Sequence, residues 1–209
     1  MNGTFYNGHR LDDIARSWGT TRLGNETQGA IVTRGVLFDV LGHKLASGQR
    51  GDTETLPDGE PLLAEGYRVT VEDLQAALAW EGVDPPGPGD VVLLRTGWRR
   101  LIARDPQRYM SGRRPGPHLR ECRFLARARP AIIAMDSWKF GTDREAFGED
   151  MLPHQELAGR FGIRVGEAVP SDDLARDRVY EFVFCFNPQN ARGAVSGSSP
   201  PIALGQPPD

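Results

Sequence analysis

The sequence is poor in cysteine and has no long apolar run, and these two absences exclude several classes of protein. Cys122 and Cys185 are its only cysteines, they lie far apart in the chain, and neither belongs to a CxxC pair. A disulfide framework or a thiolate zinc site therefore has no support, and we expect two plain buried thiols. The chain also lacks a stretch of about 18 apolar residues and an N-terminal signal sequence, which predicts a cytoplasmic protein that does not enter a membrane.

An excess of positive charge and the common catalytic motifs are absent as well. The 25 Lys and Arg residues are outnumbered by 28 Asp and Glu residues, which gives a net charge of −3. Because the basic residues are scattered, the sequence offers no electrostatic footprint for nucleic acid. It contains no G-x-S-x-G elbow, P-loop, G-x-G-x-x-G or H-E-x-x-H, so the commonest hydrolase, nucleotide-binding and zincin signatures are excluded.

Apolar runs alternate with segments of helical spacing along the chain. Four runs predict buried strands, at 30–42, 90–98, 130–138 and 179–186. Helices are predicted at 69–83, where Thr70 and Asp73 form a capping box and Gly82 ends the helix, and at 118–129. This alternation predicts an α/β fold with a largely interior sheet. Internal repeats are absent, so we expect one domain over residues 1–209 with a loop-like tail at 190–209.

Polar and aromatic residues follow two of the predicted strands. Arg95 and Trp98 come after one strand, and Asp136 and Trp138 come after the next. Ligands of α/β folds gather outside the carboxyl ends of the strands, so these four residues are candidates for a substrate pocket. The alternative is structural: Asp136 caps the following turn, Arg95 pairs with a carboxylate, and the tryptophans belong to the core.

A histidine and a glutamate flank a predicted helix and strand near the C-terminus. His154 opens the helix, Gly162 ends it, and Glu167 follows in a strand-like segment. The helix has an apolar stripe of Leu157, Ala158 and Phe161. Such a unit can aim both side chains at one point, although a surface helix start and a solvated strand end would give the same pattern. His43 and His118 are expected to face solvent.

Seven short phrases, in order, carry a family resemblance. They are YNGH (6–9), IVTRGVLFDV (31–40), PGDVVLLRTGW (88–98), IIAMDSW (132–138), PHQELAGRFGIRVGE (153–167), YEFVFCFNPQ (180–189) and GSSPPIA (197–203). Together they resemble the cyclase family that contains kynurenine formamidase and isatin hydrolase.

This resemblance implies a fold, an activity and a metal. The fold would be a single α/β domain of the swivelling β/β/α type, which usually forms homodimers or homotetramers. The activity would be metal-dependent hydrolysis of a small-molecule substrate, an aryl formamide or a cyclic amide, with Zn²⁺ or Mn²⁺ as cofactor. In the family, the histidine and glutamate at the positions of His154 and Glu167 complete the metal site.

One family motif, H-x-G-T-H-x-D-x-x-x-H, is missing from this sequence. In the family it supplies most metal ligands and the catalytic histidine, and it ends shortly before the phrase that matches Tyr6–His9 here. Either the chain is truncated at its N-terminus, or it is a short variant that has lost catalysis. We therefore assign no catalytic base and expect the chain as given to be inactive. The alternative function is a non-catalytic member that binds a small ligand or serves as an oligomer partner.

Overall fold

The structure is a computed structural model that describes residues 3–142 and 152–208. The strands in chain order are β1 (Ala15–Arg16), β2 (Gly19–Thr20), β3 (Ile31–Phe38), β4 (Thr53–Thr55), β5 (Pro61–Leu63), β6 (Val91–Leu94), β7 (Ile132–Met135), β8 (Arg164–Gly166), β9 (Glu181–Phe186) and β10 (Ile202–Leu204). The helices are α1 (Leu11–Ile14), α2 (Val40–Ala46), α3 (Val71–Glu81), α4 (Leu101–Arg104), α5 (Pro106–Ser111), α6 (Leu119–Ala126), α7 (Leu152–His154) and α8 (Asp172–Arg176). A π-helical segment, Gln155–Phe161, continues α7.

A six-stranded mixed sheet forms the centre of the fold. Its strand order is β10-β9-β3-β6-β7-β8, while β1 with β2 and β4 with β5 form two small separate ribbons. Strands β3, β6, β7 and β8 run parallel, whereas β9 is antiparallel to β3 and β10 is antiparallel to β9. The carboxyl ends of the four parallel strands therefore share one edge of the sheet, where α/β proteins bind their ligands.

Both faces of the parallel strands are covered, because successive side chains point to opposite faces. One face contributes Val36, Phe38, Val92, Leu94, Ile133 and Met135 to a core shared with α3, α6 and the α7 segment. The other face contributes Leu37, Val91, Leu93, Ile132, Ala134, Phe182 and Phe184 to a second core. The near-continuous apolar runs of the sequence are explained by this two-sided burial.

The predicted strands exist, but each is shorter than its apolar run. The run at 30–42 divides at Asp39, whose side chain accepts a hydrogen bond from the Gly42 amide at 2.8 Å and starts α2. Burial on both faces also fails at the outer end of β3, because Val32 is 69% exposed. Within the predicted tail, residues 202–204 pair with β9 as an edge strand.

Helix α3 matches its sequence signals closely. The capping box is present, with the Asp73 amide donating to the Thr70 hydroxyl and the Thr70 amide donating to Asp73. Gly82 ends the helix in the left-handed conformation, with φ of 69°. Across the described ranges, every helix is too short or too polar to cross a bilayer.

Candidate functional site

The candidate site lies at the carboxyl edge of the parallel strands. The residue that follows each of these strands is polar and ionisable: Asp39 after β3, Arg95 after β6, Asp136 after β7 and Glu167 after β8. This row arises because each apolar strand ends where the chain leaves the core. The four residues then divide into two groups, according to whether their side chains are buried.

His154 and Glu167 meet at the β8 end of this row. The His154 Nε2 and Glu167 Oε1 atoms are 2.8 Å apart. Their side chains are 22% and 34% exposed, so both are reachable from solvent. The turn at Gly162, with φ of 69°, reverses the chain between the π-helical segment and β8 and brings the two residues together. His154 and Glu167 therefore converge on one point, as the sequence suggested. They form a direct hydrogen bond, whereas two ligands of one ion would lie farther apart.

Backbone groups of the loop after β7 hold Glu167 in place. The Phe140 amide donates to Glu167 Oε1 at 2.8 Å, and the Ala168 amide donates to the Ser137 carbonyl at 2.7 Å. Ala168 has φ of 55°, a left-handed conformation that is uncommon for a residue with a side chain. Such strain persists only where the surroundings impose it, and it concentrates at functional sites.

The electrostatics favour an ionised Glu167. Its partial burial alone would raise the pKa, but the hydrogen bonds from His154 and the Phe140 amide outweigh burial and hold the pKa below its usual range. A carboxylate that is charged at neutral pH and hydrogen-bonded to an imidazole has the chemistry of a metal ligand or of an acid–base partner.

Asp136 is fully buried and satisfied by the chain itself. Its carboxylate accepts hydrogen bonds from the Thr96 hydroxyl at 2.6 Å, the Gly97 amide at 2.6 Å and the Thr96 amide at 3.1 Å. Burial raises the pKa of Asp136 to about 6, and the hydrogen bonds from Thr96 oppose that rise. This carboxylate ties the loop after β6 to the loop after β7, so its role is structural, although its partners are Thr96 and Gly97 and not the turn that follows it.

The Arg95 side chain is likewise bound by groups of the chain itself. Its guanidinium contacts Asp39 at 2.7 Å and Asp172 at 2.8 Å, and only 8% of its side chain is exposed. The carboxylate pairing considered for Arg95 is therefore present. A substrate-pocket role for Arg95 and Asp136 stays a prediction.

The candidate pocket aromatics separate by burial. Trp98 is completely buried, with its indole nitrogen 3.4 Å from the Tyr109 carbonyl. Trp138 is only partly buried and packs against the cluster that contains Trp98 and Tyr109. Trp138 is thus the predicted pocket residue with ring surface left to contact a substrate.

Three other predictions from the sequence need correction. Cys122 is buried as expected, but Cys185 is only partly buried. His118 does not face solvent but is buried at the start of α6, where its amide donates to Glu121 at 3.1 Å. The helix after His154 is π-helical, so the predicted stripe is displaced: Leu157 is buried, whereas Ala158 and Phe161 are exposed. A π-helix has more residues per turn than an α-helix, and this changes which side chains face inward.

Two residues here carry donor atoms that suit the metal implied by the family resemblance. His154 and Glu167 offer imidazole and carboxylate atoms, and His154 Nδ1 is buried without a hydrogen-bond partner among the described residues. A catalytic zinc site uses three protein ligands and an open position. Within residues 3–142 and 152–208, no three His, Cys, Asp or Glu side chains are grouped to hold a metal ion. The pair fits part of a metal site, and the described residues do not complete it.

Sequence reasoning did not find the groups that surround the pair. The Phe140 amide reaches Glu167, and Arg99 reaches the Ala168 carbonyl, only because the loops after β7 and β6 fold toward β8. No pattern in the sequence marks a backbone amide as a donor to a glutamate 27 positions away.

Comparisons with known proteins agree on one family. The family model named Cyclase, described as "Putative cyclase", matches residues 13–142. No curated protein matches the chain significantly. The crystal structure of a protein described as a novel cyclase is 28% identical with a TM-score of 0.79, and the match covers 98% of this chain and 64% of that one. The chain therefore spans less than two thirds of the length of this structural relative.

Two less similar structures share the fold. Isatin hydrolase A from Labrenzia aggregata, bound to benzyl benzoate, is 15% identical with a TM-score of 0.61, and the match covers 89% of this chain and 67% of that one. A potential metal-dependent hydrolase with cyclase activity is 16% identical with a TM-score of 0.52, covering 85% and 67% of the two chains. The α/β, cyclase-like fold predicted from the sequence is thereby confirmed.

Proposed function

Because the chain belongs to the Cyclase family, we propose that it serves metal-dependent hydrolysis of an aryl formamide or a related cyclic amide. One observation carries this proposal: His154 and Glu167 converge to 2.8 Å at the carboxyl edge of the sheet. The names of two fold relatives, an isatin hydrolase and a potential metal-dependent hydrolase, supply the reaction class and the metal.

Each residue of the pair has a defined part in this proposal. The ionised Glu167 and the imidazole of His154 would hold Zn²⁺ or Mn²⁺, and such an ion lowers the pKa of bound water and polarises a carbonyl group. The Phe140 amide keeps the Glu167 carboxylate directed toward His154. Trp138 offers partly exposed ring surface for an aryl group nearby.

The number of ligands sets what the chain can do by itself. Two donors hold a divalent ion weakly, and the described residues provide no third ligand beside them. We therefore expect no metal-dependent turnover of N-formylkynurenine or isatin by the chain as given. We also propose that it is a cytoplasmic protein that acts as a homodimer or homotetramer.

The alternative function is a non-catalytic family member that binds a small ligand. The incomplete ligand set among the described residues is the observation that favours it. In that case the hydrogen bond between His154 and Glu167 would be a structural link between the π-helical segment and β8, with no metal involved.

Metal titration separates the two functions. Zn²⁺ and Mn²⁺ would be titrated into the chain and into the variants His154→Ala, Glu167→Gln and Glu156→Gln, with Glu156 as the control because it is paired with Arg123 on the adjacent helix surface. We expect weak binding that is reduced at least tenfold by either site variant and unchanged by the control. Equal affinity in all four proteins would place the ion elsewhere and contradict the proposal.

A further inference from the structure

Arg99 lies beside the candidate site and makes no ion pair there. It belongs to the turn after β6, and its Nε donates to the Ala168 carbonyl at 3.1 Å, one residue beyond Glu167. Its neighbours along the chain, Arg95 and Arg100, both pair with Asp172. Within the part of the chain that the structure describes, no carboxylate lies within 4 Å of the Arg99 guanidinium.

Arg99 and Glu167 are both near enough to Tyr109 for their charges to act on its hydroxyl. The pKa of Tyr109 is raised to about 12, chiefly by burial; the charges of Asp136 and Glu167 also raise it, and the Arg99 charge opposes them. Arg99 and Glu167 therefore act on the same phenol. The Tyr109 hydroxyl donates to the Asp136 carbonyl at 3.5 Å, which places it against the loop after β7.

The hydrogen bond to Ala168 prepares Arg99 to bind an anion. It fixes one N–H of the planar guanidinium, while the two terminal nitrogens make no hydrogen bond to a described residue. Two parallel N–H groups match the two oxygens of a carboxylate, and a guanidinium already held in place loses less side-chain entropy on binding. The strained Ala168 peptide thus connects the position of this cation to that of Glu167.

We propose that Arg99 forms a carboxylate-binding subsite next to His154 and Glu167, which takes the carboxylate formed when a cyclic amide fused to an aromatic ring is opened. This inference rests on the proposed function. In that reaction one water molecule adds across the amide: the C–N bond breaks, the carbonyl carbon gains the water oxygen and becomes a carboxylate, one water proton goes to the nitrogen, and the other is released to solvent. Opening the amide creates a negative charge on the product. The product carboxylate would supply the anionic partner that Arg99 does not have among the described residues.

Binding of phenylglyoxylate, an aromatic keto acid, tests this subsite without any metal. It would be titrated into the full chain in the presence of a chelator, together with phenylglyoxamide, its neutral amide. The variants are Arg99→Gln, Arg99→Lys and the control Arg104→Gln, because Arg104 lies on the next helix and pairs with Asp58. We expect Arg99→Gln to weaken phenylglyoxylate binding at least tenfold, Arg99→Lys to weaken it less, and the control to bind as the wild-type chain does. Phenylglyoxamide should bind the wild-type chain and the three variants with equal affinity.

Two results would overturn the subsite. One is phenylglyoxylate affinity that is the same in the wild-type chain and Arg99→Gln; the other is an equal loss in Arg104→Gln, which would indicate nonspecific attraction. If Arg99→Gln does not fold, the Arg99 Nε–H resonance of the wild-type chain provides the readout, since it must shift on adding phenylglyoxylate and an unchanged resonance refutes the proposal. Titrating Zn²⁺ into Arg99→Gln distinguishes failure of the subsite from failure of the metal site. This variant removes the subsite but leaves both metal ligands, His154 and Glu167, in place.

Discussion

At the residue scale, the ionisable groups along the carboxyl edge have different tasks because their burial differs. Asp136 is enclosed and accepts three hydrogen bonds from Thr96 and Gly97. Glu167, one strand further, is one-third exposed, and its Oε1 is hydrogen-bonded to His154 and to the Phe140 amide. A position after a strand therefore indicates where a side chain lies, and the surrounding donors decide whether it remains available for chemistry.

A partly buried carboxylate, Glu81, should control how stability depends on pH. Glu81 ends α3 and accepts a hydrogen bond from the Asp39 amide, while its Oε2 is buried without a partner among the described residues. Burial raises its pKa to about 8, despite the hydrogen bond from the Asp39 amide, and the Asp39 charge adds to the rise. Because the folded-state pKa is above the unfolded value of 4.5, stability is full below about pH 4.5 and falls as pH rises toward 8.

The variant Glu81→Gln tests this prediction by urea unfolding at pH 5, 7 and 9. Between pH 5 and pH 9 we expect the free energy of unfolding of the wild-type chain to fall by about 2 kcal/mol more than that of Glu81→Gln. The reason is that a shifted pKa is a difference in folding free energy. Glu72→Gln is the control, because Glu72 is exposed on the same helix and paired with Arg120. Parallel pH profiles for the wild-type chain and Glu81→Gln would show that Glu81 does not carry the effect.

At the scale of elements, the sequence predicts well what local rules determine. The four apolar runs become β3, β6, β7 and β9, and the capping box of α3 is formed as expected. The ends of the strands are less predictable, because Val40 and Leu41 continue an apolar run but follow Asp39, which starts a helix. The π-helical segment packs against α6 and β8, and the α-helical spacing of its apolar residues does not predict its π-helical geometry.

The candidate site is predictable only in part for a related reason. His154 and Glu167 follow from the family resemblance, and the reversal at Gly162 follows from the glycine stop signal. The Phe140 amide and Arg99 reach the pair through loops of irregular structure, whose course is set by tertiary contacts such as the hydrogen bond from Ala168 to Ser137.

The turn at Gly162 should be sensitive to substitution for two separate reasons. It has φ of 69°, and a Cβ added there would lie 2.6 Å from the Tyr6 ring. Gly82 ends α3 with the same φ but has open space around it, so it isolates the backbone effect. We expect Gly82→Ala to cost about 1 kcal/mol of unfolding free energy, and Gly162→Ala about 2 to 3 kcal/mol because Tyr6 must also move. Equal losses by denaturant unfolding would exclude a contribution from Tyr6.

At the scale of the whole molecule, the outer part of the central sheet is unusually apolar. Val32, Val183, Ile202 and Leu204 are 69%, 47%, 57% and 59% exposed. The strand register places them on one face, since Val32 and Ile202 both oppose Cys185, and Leu204 opposes Val183. Contiguous apolar patches of this kind, next to an edge strand, mark contact surfaces.

We therefore expect the purified chain to self-associate through this face. Sedimentation velocity should show association that increases with protein concentration, and Val183→Lys or Ile202→Lys should shift the chain toward monomer. Val195→Lys is the control, because Val195 is 63% exposed but lies outside the sheet. A wild-type chain that stays monomeric at all concentrations would contradict this expectation.

The central claim is that His154 and Glu167 hold a divalent metal ion at the carboxyl edge of the sheet. Anomalous diffraction from crystals of the full chain grown with Zn²⁺, collected on both sides of the zinc absorption edge, tests it most directly. The account predicts a zinc peak at about 2.0–2.2 Å from both His154 Nε2 and Glu167 Oε1, with their direct 2.8 Å hydrogen bond broken. A zinc peak at other residues, or an intact hydrogen bond with no zinc beside it at saturating Zn²⁺, would contradict the account.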